Sequence, residues 1–200
     1  MPTARDVRIC FAGDSYVAGT GDPACLGWVG RVSAAAFAEG RRLTSYNLGV
    51  RGETSSQVAE RLEAELAPRL SAGDERRLVL AFGVNDTVRV DGHVRQSLAQ
   101  SARALHRALD VAGRATTLVV GPPAVDDEAQ NARLHGLGDA FAEVCADRGI
   151  PYVDTFDATA TDATWRREVR EGDGFHPGAA GYAALAAVVQ RPFLASLAST

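Results

Sequence analysis

Ser15 is a candidate nucleophile because of the residues that precede it. Apolar side chains alternate with other residues over 7–12, which predicts a strand that enters a core and ends at Gly13. Asp14 and Ser15 then follow the carboxyl end of that strand, where open α/β sheets bind their ligands. A serine hydroxyl is a weak nucleophile until a base removes its proton. The chemistry therefore depends on whether the rest of the chain supplies that base.

His176 is the histidine best placed to serve as this base. It ends an Asp-Gly-Phe-His segment, residues 173–176, which lies just before a predicted terminal helix. Asp173 is close enough in sequence to fold back onto the imidazole, and a carboxylate on Nδ1 fixes the tautomer in which Nε2 accepts a serine proton. The other histidines are predicted at a helix start, on a solvated helix face and beside a helix glycine, and we do not predict a catalytic role for them: His93, His106 and His135.

An acyl-transfer site also needs hydrogen-bond donors where negative charge develops on the substrate. Gly49, at the end of Asn-Leu-Gly after the second predicted strand, offers an unhindered backbone N–H. Asn85, in Gly-Val-Asn-Asp after the third strand, offers a side-chain amide. An asparagine in a loop is usually a turn former, but its place after a strongly apolar strand and a glycine favours a functional role.

Predicted strands alternate with predicted helices along the whole chain. After the first strand, further strands are expected over 43–48, 77–82, 116–120 and 150–153, and the main helices over 28–38, 94–112, 128–148 and 178–195. Such alternation predicts a parallel sheet that helices cover on both faces. We expect a flavodoxin-like three-layer α/β/α sandwich with a five-stranded parallel sheet in the order 2-1-3-4-5. Ser15, Gly49 and Asn85 would then follow three neighbouring strands.

Four blocks of the sequence together resemble the SGNH hydrolases, also called GDSL esterases and lipases. They occur in order along nearly the whole chain: Gly13-Asp14-Ser15, the glycine of 47–49, the segment 83–86 and the segment 173–176. The resemblance implies that Ser15 is the nucleophile, His176 the base and Asp173 its orienting partner. It also implies an oxyanion hole made by the backbone N–H groups of Ser15 and Gly49 and the side chain of Asn85.

The sequence departs from the family pattern at Tyr16, where the family name has leucine. That side chain does no chemistry in the family mechanism, so we expect the departure to bear on the substrate rather than on the reaction. Asp14 and Asp86, beside two of the blocks, are expected to be supporting residues that hold loop N–H groups. Together with Asn85, Asp173 and His176 they raise the alternative of a metal-dependent phosphoesterase, but their spacing fits no common metal-binding motif. We predict no metal and no cofactor.

Length and composition predict a single domain over 1–200, because no linker, charge block or repeat divides the chain. The net charge of −4, with acidic and basic residues mixed, argues against a nucleic acid or an anionic membrane surface as the partner. The sequence contains no lysine, which excludes a lysine nucleophile and a P-loop. A non-catalytic flavodoxin-like binding domain is the alternative of another class, although Ser15, Asp173 and His176 are all present.

Two further features concern location and redox chemistry. Residues 1–6 lead almost directly into the first strand without a charged-then-apolar leader, and no apolar run is long enough to cross a bilayer. We therefore expect a cytoplasmic protein. Cys10, Cys25 and Cys145 are far apart and lack CxxC spacing, which indicates neither a disulfide framework nor a zinc site. No pattern in the sequence indicates the oligomeric state.

These residues predict a serine esterase that hydrolyses carboxylic esters through an acyl-enzyme, with short acyl, acetyl or aryl esters as its small-molecule substrates. A thioesterase, or a lysophospholipase-like acyl hydrolase or acyltransferase, would use the same triad. The segments expected to line the substrate pocket are 16–27, 51–54, 87–92, 122–133 and 155–172. Three arginines in these segments are candidates for contact with an anionic or polyhydroxyl substrate: Arg51, Arg89 and Arg133.

Overall fold

A five-stranded parallel sheet forms the centre of the protein in the computed structural model, which describes residues 5–198. The strands are, in chain order, β1 (Val7–Gly13), β2 (Thr44–Gly49), β3 (Glu75–Ala81), β4 (Arg89–Val90), β5 (His93–Val94), β6 (Thr116–Val120) and β7 (Tyr152–Val153). The strands β4 and β5 form a separate short hairpin, and the other five form the sheet. The sheet order is β2-β1-β3-β6-β7, and every neighbouring pair is parallel. This confirms the predicted order of 2-1-3-4-5.

Helices pack on both faces of this sheet. In chain order they are α1 (Ser15–Ala18), α2 (Gly27–Ala38), α3 (Ser55–Leu70), α4 (Leu98–Ala112), α5 (Glu128–Asp147), α6 (Phe156–Thr161), α7 (Ala163–Glu171) and α8 (Ala179–Ala198), with a 3-10 turn at Val84–Thr87. No helix among residues 5–198 is both long and apolar enough to cross a membrane. The expectation that no leader precedes β1 falls on residues 1–4, outside the described residues.

The alternation of side chains along β1 divides the core into two layers. Ile9 and Phe11 join a buried cluster with side chains of α2, α7 and α8. Cys10 and Ala12, which point to the opposite face, join a second buried cluster with α3, α4 and α5. Because successive strand residues face opposite sides, this one strand anchors both helical layers. The three-layer α/β/α sandwich was therefore correctly predicted.

The structure differs from the predicted elements in two places. The helix expected from residue 94 begins at Leu98, because residues 89–94 form the hairpin and Ser97 caps the helix through the N–H of Gln100. His93 accordingly lies in β5 and not at a helix start. The segment 155–172, for which no helix or strand was predicted, contains α6 and α7, the second capped by Asp162.

Two glycines allow the strand ends beside Ser15 to pack closely. Gly13 pairs with Gly49 on β2 and with Ala81 on β3. A Cβ on Gly13 would lie 1.8 Å from the carbonyl oxygen of Ala81, and one on Gly49 would lie 2.2 Å from the backbone nitrogen of Ala18. No side chain fits at either position. The carboxyl ends of the three central strands therefore meet at one edge, and α1 rests directly on them.

Candidate active site

Ser15 begins α1, the single turn of helix that follows β1. The Asp14 carboxylate caps this turn by accepting the backbone N–H of Tyr16 at 3.0 Å, and Gly19 ends it in the left-handed conformation with φ of 78°. As the first helical residue, Ser15 has a backbone N–H with no partner inside the helix. Its side chain is only slightly exposed. The serine is thus fixed at the carboxyl end of the sheet, as the sequence predicted.

The structure brings Ser15, His176 and Asp173 into one continuous chain of hydrogen bonds. His176 Nε2 lies 2.7 Å from Ser15 Oγ, and His176 Nδ1 lies 2.7 Å from Asp173 Oδ2. The other carboxylate oxygen, Asp173 Oδ1, accepts the backbone N–H groups of Phe175 at 3.0 Å and of His176 at 2.8 Å. These backbone contacts fold the segment 173–176 into a tight turn, and the carboxylate is thereby fixed against the imidazole.

Hydrogen bonding keeps Asp173 ionised. Partial burial opposes the charge, but bonds from the backbone and the ring of His176 hold the pKa of the carboxyl below its usual range. The Asp173 side chain is 52% exposed, whereas that of His176 is 12% exposed. An ionised carboxylate on Nδ1 stabilises the imidazolium that forms when Nε2 accepts a proton. The arrangement is therefore suited to activating Ser15 as a nucleophile.

Tyr16 contacts the segment 173–176 through both its hydroxyl and its ring. Its hydroxyl donates to the carbonyl oxygen of Phe175 at 2.6 Å, and its ring centroid lies 5.1 Å from that of His176. The opposite side of the segment is held by the backbone N–H of Asp126, which donates to the carbonyl of Gly174 at 2.9 Å. We expected Tyr16 to bear only on the substrate. The structure shows that it also contacts the segment that carries the histidine.

The Asn85 side chain lies at the same edge, in the 3-10 turn after β3. Its amide donates to the carbonyl of Glu53 at 2.9 Å and to Asp14 Oδ2 at 3.3 Å. The first is an ordinary hydrogen bond, while the second is longer than most N–H···O contacts. One amide N–H thus fixes the side chain, and the other is only weakly engaged. The weakly engaged N–H has capacity to donate to a further acceptor.

Gly49 was expected to donate its N–H to an oxyanion, and in the structure a neighbouring side chain accepts that N–H. That N–H is already bonded to the side-chain oxygen of Asn47 at 3.0 Å, and Gly49 does not line the cleft around Ser15. The glycine is needed for close packing against α1 instead. Gly52, three residues later, does line the cleft together with Ser15 and Asn85. The signal for Gly52 in the sequence was its place just before the Glu-Thr start of α3.

Both carboxylates predicted to be supporting residues are buried and hydrogen-bonded. Burial raises the pKa of Asp14 to about 7, and the nearby Asp86 adds to that effect. Asp86 accepts the backbone N–H of Ser55 at 2.8 Å and its hydroxyl at 2.6 Å. Burial also raises the pKa of Asp86, against these bonds. The Asp14 carboxyl contacts Asn85 and the turn that carries Ser15. The Asp86 carboxyl bonds the start of α3 to the 3-10 turn.

The cleft above Ser15 has a volume of about 370 Å³. Its lining residues are Ser15, Tyr16, Arg51, Gly52, Val84, Asn85, Val88, Arg95, Phe175 and His176. Three of the five segments expected to line the pocket contribute to it. The other two, 122–133 and 155–172, line a separate cavity of about 570 Å³ that contains none of the triad residues. Arg95 was missed, because it was predicted within the helix over 94–112 and outside the segments expected to line the pocket.

The remaining sequence expectations can be placed as follows. Cys10 and Cys145 are buried, and Cys25 is exposed in the loop after α1. Within residues 5–198, no group of three or more histidine, cysteine, aspartate or glutamate side chains is arranged to hold a metal ion. Of the three arginines suggested for substrate contact, Arg51 lines the cleft, whereas Arg133 donates to the carbonyl of Thr87 at 3.0 Å.

Solved structures of esterases share this architecture. The lipase/acylhydrolase from Enterococcus faecalis is 25% identical, with a TM-score of 0.78 over 94% of this chain and 96% of that one. The aryl esterase from M. smegmatis is 18% identical, with a TM-score of 0.73 over 94% and 99%. A catalytic mutant of the acetylxylan esterase from Geobacillus stearothermophilus is 16% identical, with a TM-score of 0.71 over 100% and 98%.

The sequence comparisons give a family but no close relative. No curated protein is significantly similar to the chain. The model of the GDSL-like lipase/acylhydrolase family matches residues 11–184, which contain Ser15, Asn85, Asp173 and His176. The chain therefore belongs to the GDSL-like lipase/acylhydrolase family and is a carboxylic ester hydrolase.

Proposed function

We propose that this protein is a serine esterase that cleaves small carboxylic esters through an acyl-enzyme formed on Ser15. The observation that carries the proposal is the unbroken hydrogen-bonded chain from Ser15 Oγ through the His176 ring to Asp173, with both links at 2.7 Å. Nucleophile, base and orienting carboxylate in this geometry are the requirements for serine-based acyl transfer.

The reaction proceeds in two halves. His176 Nε2 accepts the Ser15 proton as Oγ attacks the acyl carbonyl, and the imidazolium then donates that proton to the departing alcohol. Water enters, gives a proton to His176 and attacks the acyl-enzyme. Ser15 regains its proton as the carboxylic acid departs. The net change is one ester and one water converted to one acid and one alcohol.

Three donors are proposed to stabilise the oxyanion: the backbone N–H groups of Ser15 and Gly52 and the Asn85 amide. Gly52 replaces Gly49, whose N–H is occupied by Asn47. The Asn85 amide is held in place by the carbonyl of Glu53 and keeps one weakly engaged N–H. Donors that are fixed before the reaction stabilise the developing charge without reorganisation.

We propose short acyl, acetyl or aryl esters as the substrates. A cleft of about 370 Å³ suits a small ester. The acetylxylan esterase and the aryl esterase of similar architecture lend support to this size class. The structure offers no comparable support for a phosphoesterase, because the carboxylates that suggested one are engaged in hydrogen bonds with neighbouring protein groups.

The test is hydrolysis of 4-nitrophenyl esters from acetate to palmitate by wild type and Ser15→Ala, with and without EDTA. We expect activity on the short esters that is insensitive to EDTA and almost abolished in the variant. Parallel assays with acetyl thioesters and with acceptor alcohols show whether thioester cleavage or acyl transfer is faster. Substantial ester hydrolysis by a correctly folded Ser15→Ala protein would refute the mechanism.

A further inference from the structure

The cleft around Ser15 is lined by apolar and cationic side chains but by no carboxylate. Four of its lining residues are apolar or aromatic: Tyr16, Val84, Val88 and Phe175. Two are arginines, Arg51 and Arg95, and none is aspartate or glutamate. A neutral short ester needs the apolar surface and the oxyanion donors, but it has no use for two guanidinium groups. Their presence requires a separate explanation.

The two arginines have different surroundings. Arg95 is fixed, because its Nη1 donates to the carbonyl of Gly52 at 2.9 Å and its backbone N–H closes the hairpin on the carbonyl of Val88. Gly52 is the residue after Arg51, and both arginines line the cleft. Within residues 5–198, Arg51 is exposed and makes no hydrogen bond or ion pair with another residue. The cleft thus holds one guanidinium occupied by backbone and one without a protein partner.

Nearby carboxylates do not neutralise Arg51. Glu53, two residues along the chain, is paired with Arg61 at 2.7 Å. Asp173 is engaged by His176 and by two backbone N–H groups. Asp14 is buried, and its pKa is raised to about 7. An anion entering the cleft would therefore meet an unpaired guanidinium at the same edge as the nucleophile.

We propose that the natural substrate is an ester bearing an anionic group, a carboxylate or a phosphate, which Arg51 binds with the positive field of Arg95 behind it. Guanidinium groups pair with both anions through two parallel N–H bonds. The scissile carbonyl and the anion would then be held at two points, on the oxyanion donors and on Arg51. This inference rests on the proposed esterase function and specifies its substrate class.

Two matched pairs of substrates test the inference. The 4-nitrophenyl monoester of adipic acid and 4-nitrophenyl hexanoate have acyl chains of equal length and differ by a carboxylate on the acyl side. Butyryl-glycerol 3-phosphate and monobutyrin differ by a phosphate on the alcohol side. We expect wild type to favour the anionic member of at least one pair by about tenfold in kcat/KM, the scale of a hydrogen bond to a charged group. Which pair shows the preference identifies the anion and its side of the ester.

Arg51→Gln is expected to remove most of that preference, measured as the ratio of kcat/KM for the anionic and neutral members. Arg89→Gln is the control, because Arg89 is an exposed arginine of the adjoining hairpin that does not line the cleft. Its ratio should stay at the wild-type value. Raising the ionic strength should also reduce the preference, since exposed charges are screened.

Two results would overturn the inference: a wild-type ratio near one in both pairs, or an equal fall in the ratio for both variants. Either result, with hydrolysis that still depends on Ser15, would leave the proposed esterase function intact. Absence of ester hydrolysis in wild type would refute the proposed function itself, and the inference with it.

Discussion

Removal of the Tyr16 hydroxyl tests whether Tyr16 positions His176, the proposed base. The Tyr16→Phe substitution keeps the aromatic ring that packs against His176 and Trp165, at centroid distances of 5.1 and 6.2 Å. It deletes only the 2.6 Å hydrogen bond to the carbonyl of Phe175, the residue next to His176. The change therefore separates the hydroxyl from the packing of the ring.

The expected loss of free energy can be estimated from the hydrogen bond that is removed and from the Phe175 carbonyl that is left unpaired. A net hydrogen bond is worth about 0.5–1.5 kcal/mol, and an unpaired partly buried carbonyl adds to the loss. We expect a cost of about 1–2 kcal/mol, which falls on the segment 173–176 because Tyr16 holds it directly. If this energy displaces the imidazole from Ser15, kcat falls about 5–30-fold. KM for a small neutral ester should change much less, since the contacts with substrate are kept.

Tyr182→Phe is the matched control. Tyr182 is also buried, also contacts the ring of Trp165, and donates its hydroxyl to a backbone carbonyl, that of Thr20, at 2.8 Å. Within residues 5–198, the Tyr182 hydroxyl makes no hydrogen bond to the segment 173–176. Thermal unfolding should show a similar loss of stability for both variants, whereas kcat should fall mainly for Tyr16→Phe. Equal losses of kcat would show general destabilisation and refute the positioning role.

Two further changes probe the groups beneath the nucleophile. Asn85→Ala should lower kcat for short esters by roughly 10²–10³, because one proposed oxyanion donor is lost; an unchanged kcat would exclude Asn85 from the oxyanion hole. The pKa of Asp14 is raised to about 7, so the folded state keeps a proton that the unfolded chain releases near pH 4. Stability should then fall by roughly 4 kcal/mol as pH rises from about 4 to about 7. In Asp14→Asn, denaturant unfolding should show a smaller fall over that range, and an identical pH profile would contradict the buried carboxyl.

The sheet was predictable because its signals are local. The strands β1, β3 and β6 contain buried apolar runs that end at or just before a glycine. Right-handed crossovers between parallel strands leave few possible orders. The hairpin and the two helices α6 and α7 were missed for a different reason. The sequence predicted a helix from residue 94 and no strand over 89–94, whereas cross-strand pairing decides the conformation of these residues. Segment 155–172 is polar, and α7 is stabilised by burying Trp165 and Val169.

The grouping of Ser15, Asp173 and His176 was predictable for a similar reason, since Asp173 and His176 are only three residues apart and Ser15 follows a clear strand. The choice between Gly49 and Gly52 was not predictable from the residues alone. Gly49 is the last residue of β2 and Gly52 lies three residues later, and either could offer a backbone N–H. Two contacts favour Gly52 as the proposed donor: α1 packs on Gly49, and the Asn47 side chain accepts the Gly49 N–H.

Asp14 links the two halves of the proposed site. One of its oxygens accepts the N–H of Tyr16 and so fixes the turn that presents Ser15, while the other faces the Asn85 amide at 3.3 Å. Nucleophile and oxyanion donor come from different strands, β1 and β3, and this buried carboxyl lies between them. A substitution that moves one should therefore move the other, because the same side chain positions both. This shared positioning role explains why the Asp14 carboxyl lies beside Ser15, although its burial is unfavourable and it does not accept the Ser15 proton.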